Sequence, residues 1–231
     1  MKQLEILFNK NAPEYKFILN KIKNNEQIEL IEKEYINYDK IIVLNPHEQI
    51  EYFHKIICEA IYSFYKFRIL YYRFKDSNLS NYDKFALLGA LLSVDKNNDK
   101  KIIYSSIVKL KVIALTSLME FRNSRLLSNW KELGELAYKL TNEIDNRIEL
   151  YELISYFISG VENQSRVTIT DTLPLNIVVD GKIYPPLEYT NDSDINLLLS
   201  VISEGPSHVV IKNQDVLSKE LLDTFRALGQ Q

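Results

Sequence analysis

Apolar residues recur at three- and four-residue steps through the middle of the chain, and at alternate or consecutive positions near both ends. Ile50, Phe53, Ile57, Ile61 and Phe64 fall on one helical face. Leu126, Trp130, Leu133, Ala137, Leu140 and Ile144 step alternately by four and three, a seam suited to packing against another helix. Leu150, Ile154, Phe157 and Val161 repeat the pattern after the polar break 142–147. Ile103, Ile107, Leu110 and Ala114 mark a further helix, and Phe85, Leu88 and Leu92 a shorter one that starts near the capping candidate Ser80. No proline occurs between Pro46 and Pro174, and only Gly89, Gly134 and Gly160 interrupt that stretch. Such a span is permissive for continuous helices. Residues 46–163 therefore read as a bundle of five or six helices.

The pattern changes after Asn163. Arg166–Thr170 and Leu175–Val179 are β-branched runs, and Asp180-Gly181 between the second run and Lys182–Tyr184 is a strong hairpin signal. Asn191–Asp194 offers N-caps to a helix from about Asp194 to Ser203, stopped by Gly205 and Pro206. His208–Ile211 reads as a buried strand and Ser218–Leu228 as a last amphipathic helix. At the other end, Leu4–Phe8 and Ile41–Leu44 are strand-like, with a helix over Pro13–Lys23 between them. Few strands cannot bury themselves alone, so the N-terminal strands are expected to join the C-terminal sheet. The resulting fold class is α+β, mainly α. Its parts are a βαβ-like segment over 1–45, a helical bundle over 46–163 and an α/β segment over 164–231.

Composition refines this reading. The chain has 231 residues, and its 15 Tyr and 10 Phe stand beside only 6 Gly and 6 Pro, which disfavours disorder and turn-dense architectures. One Cys excludes an internal disulfide. The first residues carry no apolar signal core and no run of about 18 apolar residues exists to span a membrane, so a cytoplasmic location is expected. The formal net charge of −3 provides no general attraction for nucleic acid.

Four residue constellations carry candidate chemistry. His47, Glu51, His54 and Cys58 share one helical stripe of metal-ligating types. His47 and Cys58 are about 16 Å apart along an axis rising about 1.5 Å per residue, so one ion takes only neighbouring members. An ordinary helix flank is the competing reading, and no metal or other cofactor is expected. Residues 61–75 interleave seven aromatics with Lys66, Arg68, Arg73 and Lys75 and contain no acid, a composition shared with nucleic-acid surfaces. On a helix these four charges form no single track, and an aromatic core with basic ends reaching to solvent is the preferred account. Cys58 with His54 one turn earlier has the types of an activated thiol, against the common outcome of a small buried hydrophobe. Finally, Phe121, Arg122 and Arg125 bring aromatic and guanidinium groups into the middle of the helical segment, as at interface anchors. No nucleophile elbow, phosphate-binding loop or dinucleotide glycine pattern occurs, so no catalytic residue is assigned and a non-enzyme is expected.

Phe121-Arg122 ahead of the helix through Trp130 and Leu140 resembles an element of the YtxC-like putative sporulation family. The segment 148–164, with Leu153, Tyr156, Phe157 and Gln164, is similar to that family's charged-then-aromatic helix. Leu197–Ser200, Pro206 and Val209–Ile211 resemble its closing helix, loop and strand. Together these cover about half the chain, and none of the motifs is catalytic. In that family the last helix leads into a further strand, often with cysteine nearby, and residues 225–231 do not resemble it, so no thiol or metal role is carried over from there. The resemblance implies a bacterial, cytoplasmic, sporulation-linked protein of no established activity. The sequence thus leads to a non-catalytic interaction or structural module that binds a protein partner or itself, with nucleic-acid binding and a metal protein or enzyme as alternatives.

Overall fold

A computed structural model describes residues 3–23, 28–44, 46–162 and 164–229. The boundaries expected at Asn45 and Asn163 lie outside the described residues, as do both chain ends. The chain divides into two compact units, one of residues 1–68 with 97–131 and the other of 69–96 with 132–231. The helical segment 46–163 is shared between them.

In the first unit, β1 (Gln3–Asn9) alternates and buries Leu4, Ile6 and Phe8, as a half-buried strand should. It pairs antiparallel with β3 (Tyr38–Leu44), which pairs antiparallel with the edge strand β2 (Leu30–Glu34). Helix α1 (Pro13–Lys23) buries Ile18 and Ile22. Charges at Glu32, Lys33 and Glu34 line the outer edge, a common protection against edge-to-edge pairing. The fourth strand is β4 (Val112–Ala114), parallel to β1. The N-terminal strands therefore do not join the C-terminal sheet: the two sheets are separate, in the orders β2-β3-β1-β4 and β7-β6-β5-β8. The expected helix through Leu110 and Ala114 is corrected for the same reason, because its last residues are recruited to β1.

Helix α2 (Ile50–Ala60) passes through a π-helical turn at Ile61–Tyr65 into α3 (Lys66–Phe74), and Phe53, Ile57, Ile61 and Phe64 are buried as the periodicity required. Helix α5 (Lys96–Ile107) precedes β4, and the short α6 (Leu115–Ser117) follows it. A second π-helical turn, Leu118–Arg122, leads into α7 (Ser124–Asn142).

The second unit is built around two helices that are buried on nearly every side, α4 (Asn81–Ser93) and α9 (Ser193–Ile202). Ser80 caps α4 by accepting from the Asp83 N–H, and Asp192 caps α9. The two pack so closely at Gly89 that a Cβ there would sit 2.8 Å from Ile202 Cβ. Helices α8 (Arg147–Ser159) and α10 (Lys219–Ala227) also pack on α4. The sheet comprises β5 (Ser165–Ile169), β6 (Ile177–Val179), β7 (Lys182–Tyr184) and β8 (Pro206–Ile211), the last parallel to β5. Asp180 (φ 50°) and Gly181 (φ 77°) both adopt the left-handed conformation, forming the tight hairpin that Asp-Gly predicts between β6 and β7. No helix among the described residues is long and apolar enough to cross a membrane.

Candidate functional site

The most distinctive surface feature of the first unit starts from the π-helical turn before α7. The Asn123 N–H donates to the Leu118 carbonyl at 3.0 Å, which adds one residue to the usual helical step and re-aims the side chains that follow. Asn123 leaves the helical region (φ −113°, ψ 26°) and is buried. Its Nδ2 donates to Ser106 Oγ on α5 at 3.0 Å, tying the turn to that helix. The turn carries Phe121 into solvent, 78% exposed, the one exposed phenylalanine among the described residues.

Next to Phe121 along the chain, a cavity of about 280 Å³ opens between the two helices. Asn98 and Ile102 of α5 line one side, Arg122 and Asn123 of the turn close one end, and Arg125, Leu126 and Asn129 of α7 form the rest. No acidic side chain contributes. Among the described residues, Arg68, Arg73, Arg147 and Arg226 each face a carboxylate, whereas Arg122 and Arg125 have neither an ion pair nor a hydrogen bond. The amides of Asn98 and Asn129 are likewise without partners.

One residue further along each helix the chemistry turns inward. Lys66 Nζ lies 2.8 Å from Asp99 Oδ2, and Trp130 Nε1 donates to the same oxygen at 2.8 Å. The ammonium also sits 5.0 Å from the Tyr62 ring centroid and 5.8 Å from that of Trp130. This cluster joins α3, α5 and α7 and is closed to solvent. Lys66 is therefore a buried structural cation, and no phosphate backbone reaches it.

The other expected basic residues are also engaged. Arg68 faces Glu14 at 3.1 Å and stacks over Tyr65. In the second unit, Arg73 pairs with Glu135 at 2.9 Å and lies 3.8 Å from the Tyr138 ring centroid, while Lys75 sits over Tyr72. The aromatic–basic segment is thus a set of local cation–π and ion-pair contacts, and Lys66, expected to reach to solvent, is instead buried because Asp99 pairs with it inside.

The metal-ligating stripe does not converge. His54 and Cys58 are buried, while Glu51 is exposed and paired with Lys55 at 2.7 Å. The side chain of His47 lies outside the described residues. No group of three or more His, Cys, Asp or Glu residues is placed to hold a metal ion among the described residues. Burial pushes the Cys58 thiol up to about 11, and it donates to the Lys100 carbonyl at 3.3 Å. It is thus a neutral thiol at physiological pH and a poor nucleophile. Burial also lowers the His54 imidazole below its ordinary value, and its Nε2 has no hydrogen-bond partner.

The second unit has its own cavity, of about 340 Å³, lined by Ser80, Tyr82, Asp83, Arg147, Glu220 and Asp223. Sequence reasoning did not single it out, because its residues come from three segments separated by more than sixty positions. Asp83 Oδ1 accepts from Tyr151 OH at 2.7 Å and from Arg147 Nε at 2.9 Å. Burial, reinforced by the hydrogen bond to Asp83, pushes the Tyr151 phenol up to about 12. A phenol held neutral, donating to a carboxylate oxygen that also accepts from Arg147, makes a structural bracket rather than an acid–base pair.

Compared with protein-family models, with curated proteins and with solved structures, the chain matches none.

Proposed function

We propose that the chain is a non-catalytic protein-interaction module whose contact surface is centred on Phe121, with Arg122 and Arg125 beside it. The supporting observation is the exposure of this one phenyl ring, on a turn pinned to α5 through Asn123, next to two guanidinium groups with no internal partner. Aromatic and Arg side chains dominate interface hot spots, and a pre-ordered turn reduces the entropy lost on binding. The occupant is a protein partner or a second copy of the chain. The sporulation-linked, cytoplasmic setting implied by the YtxC-like resemblance is part of the same proposal. The nucleic-acid alternative is weakened by the internal engagement of Lys66, Arg68 and Arg73, and the metal alternative by the separation of Glu51 from His54 and Cys58.

The test compares the chain with Phe121→Ser in two assays: light scattering for self-association, and tagged recovery from sporulating bacteria. The expected result is a dimer or a discrete partner that Phe121→Ser loses, since a hot-spot truncation costs about 2 kcal/mol or more, roughly a thirtyfold loss of affinity. A monomer that recovers the same proteins with and without the ring would refute the reading.

A further inference from the structure

From the cavity between α5 and α7 we infer a binding site for a phosphate dianion, free or as a small monoester. The site shares Arg122 and Arg125 with the proposed contact surface but not Phe121, which does not line this cavity, so variants of the ring test the two readings apart. Arg122 and Arg125 both line one concave site with no carboxylate on its wall, and neither side chain has an internal partner. Four of the chain's other arginines face a carboxylate, so pairing is the ordinary state of this side chain here. Two like charges lining one cavity repel each other, and an anion carrying two negative charges relieves that repulsion. Guanidinium forks match tetrahedral oxyanions bidentately. The free amides of Asn98 and Asn129 add neutral donors, and α7 begins at this point, so the positive end of a long helix contributes in the same direction. Ile102 and Leu126 form an apolar side wall able to hold the carbon portion of an ester. About 280 Å³ is near the lower end of small-ligand sites and suits a phosphate with a short substituent.

The site is also rigidly backed. Asn123 pins the turn to α5, and the Lys66–Asp99–Trp130 cluster ties α5 to α7 on their inner sides. The backbone that carries the donors is thus held in place before any ligand arrives.

Calorimetric titration of the full chain with inorganic phosphate at low ionic strength tests the assignment. Saturable one-to-one binding is expected, weakened roughly tenfold or more by Arg122→Gln or Arg125→Gln, in line with the loss of one charge-assisted bidentate contact. Arg125→Lys should recover part of the affinity, and Arg226→Gln, outside the site, none of the loss. Both target side chains are exposed and unpaired, so circular dichroism should show the variants folded. Glycerol phosphate provides the second arm: tighter binding than inorganic phosphate assigns the site to monoesters, and equal binding to the free ion. Absence of saturation, or saturation unchanged in both Gln variants, overturns the proposal. Partner recovery unchanged by Phe121→Ser, with phosphate binding intact, would refute the interaction reading alone.

Discussion

Each unit holds an aspartate that accepts from one cation and one aromatic donor, yet the two clusters differ in nearly every physical respect. In the first unit Asp99 takes Lys66 and the Trp130 indole in a site where the cation's side chain is 1% exposed. In the second, Asp83 takes Arg147 and the Tyr151 phenol, but the arginine is 53% exposed and lines an open cavity. A sealed pair cannot fall back on water when one member is removed, whereas an open one can. The same donor–acceptor chemistry therefore seals a cation among three helices in one unit, and in the other joins α4 to α8 with the cation left half in water. The sealed cluster also backs the cavity whose unpaired arginines are the chain's most conspicuous free chemistry.

The difference can be broken most directly at Lys66. Lys66→Met leaves the Asp99 carboxylate buried with the indole alone and is expected to lower stability by about 3–5 kcal/mol in urea unfolding. The double variant Lys66→Met/Asp99→Leu should regain most of that loss, because a well-packed apolar pair replaces a buried ion pair at little cost. A loss no greater in Lys66→Met than at Arg147 would show that the cluster is not sealed.

Tyr151→Phe comes next, at about 1–2 kcal/mol for a hydrogen bond to a charged acceptor. Its phenol is held up to about 12, above the ordinary 10, so the folded state keeps a proton that the unfolded state releases. Its contribution is complete below about pH 10 and is lost as pH rises towards 12. Unfolding followed from pH 9 to 12 should fall less steeply in Tyr151→Phe than in the parent chain.

Arg147→Met should cost at most about 1 kcal/mol, because half of that side chain is in water. Addition of about 1 M salt should remove much of this difference while leaving the Lys66→Met effect intact, since screening reaches exposed pairs and spares buried ones.

The smallest effect concerns His54. Its folded value lies below 6.5 because burial disfavours the imidazolium, so the unfolded state binds the extra proton first as acid is added. Stability is complete above about pH 6.5 and declines as pH falls through the folded value. His54→Leu should flatten the acid side of the stability profile; an unchanged slope would place the acid sensitivity elsewhere.

Periodicity located the long helices because one face of each is apolar over several turns. Ser80 before α4 and Asp180-Gly181 between β6 and β7 were legible for a similar reason, since caps and tight turns are made by residues adjacent in sequence. β2 was not legible: its burial alternates poorly and its charges are those of a solvated edge. β4 is three residues long, too short for any period, and it exists because β1 offers it a parallel edge. Phe121, Arg122 and Arg125 were noticeable as types, but their exposure was not, since a π-helical turn changes which way each residue points.

The amino-acid sequence by itself determined the helical class, most element positions, the caps and the hairpin, because all of these follow from interactions within a few residues of the chain. Only the tertiary structure decided that the strands form two sheets and that Lys66 is an internal cation. It alone brought Asn98 and Asn129 to one cavity with Arg122 and Arg125. Those outcomes depend on which distant segments meet. That choice is made by packing and by the desolvation of each charge, and neither leaves a local mark in the order of residues.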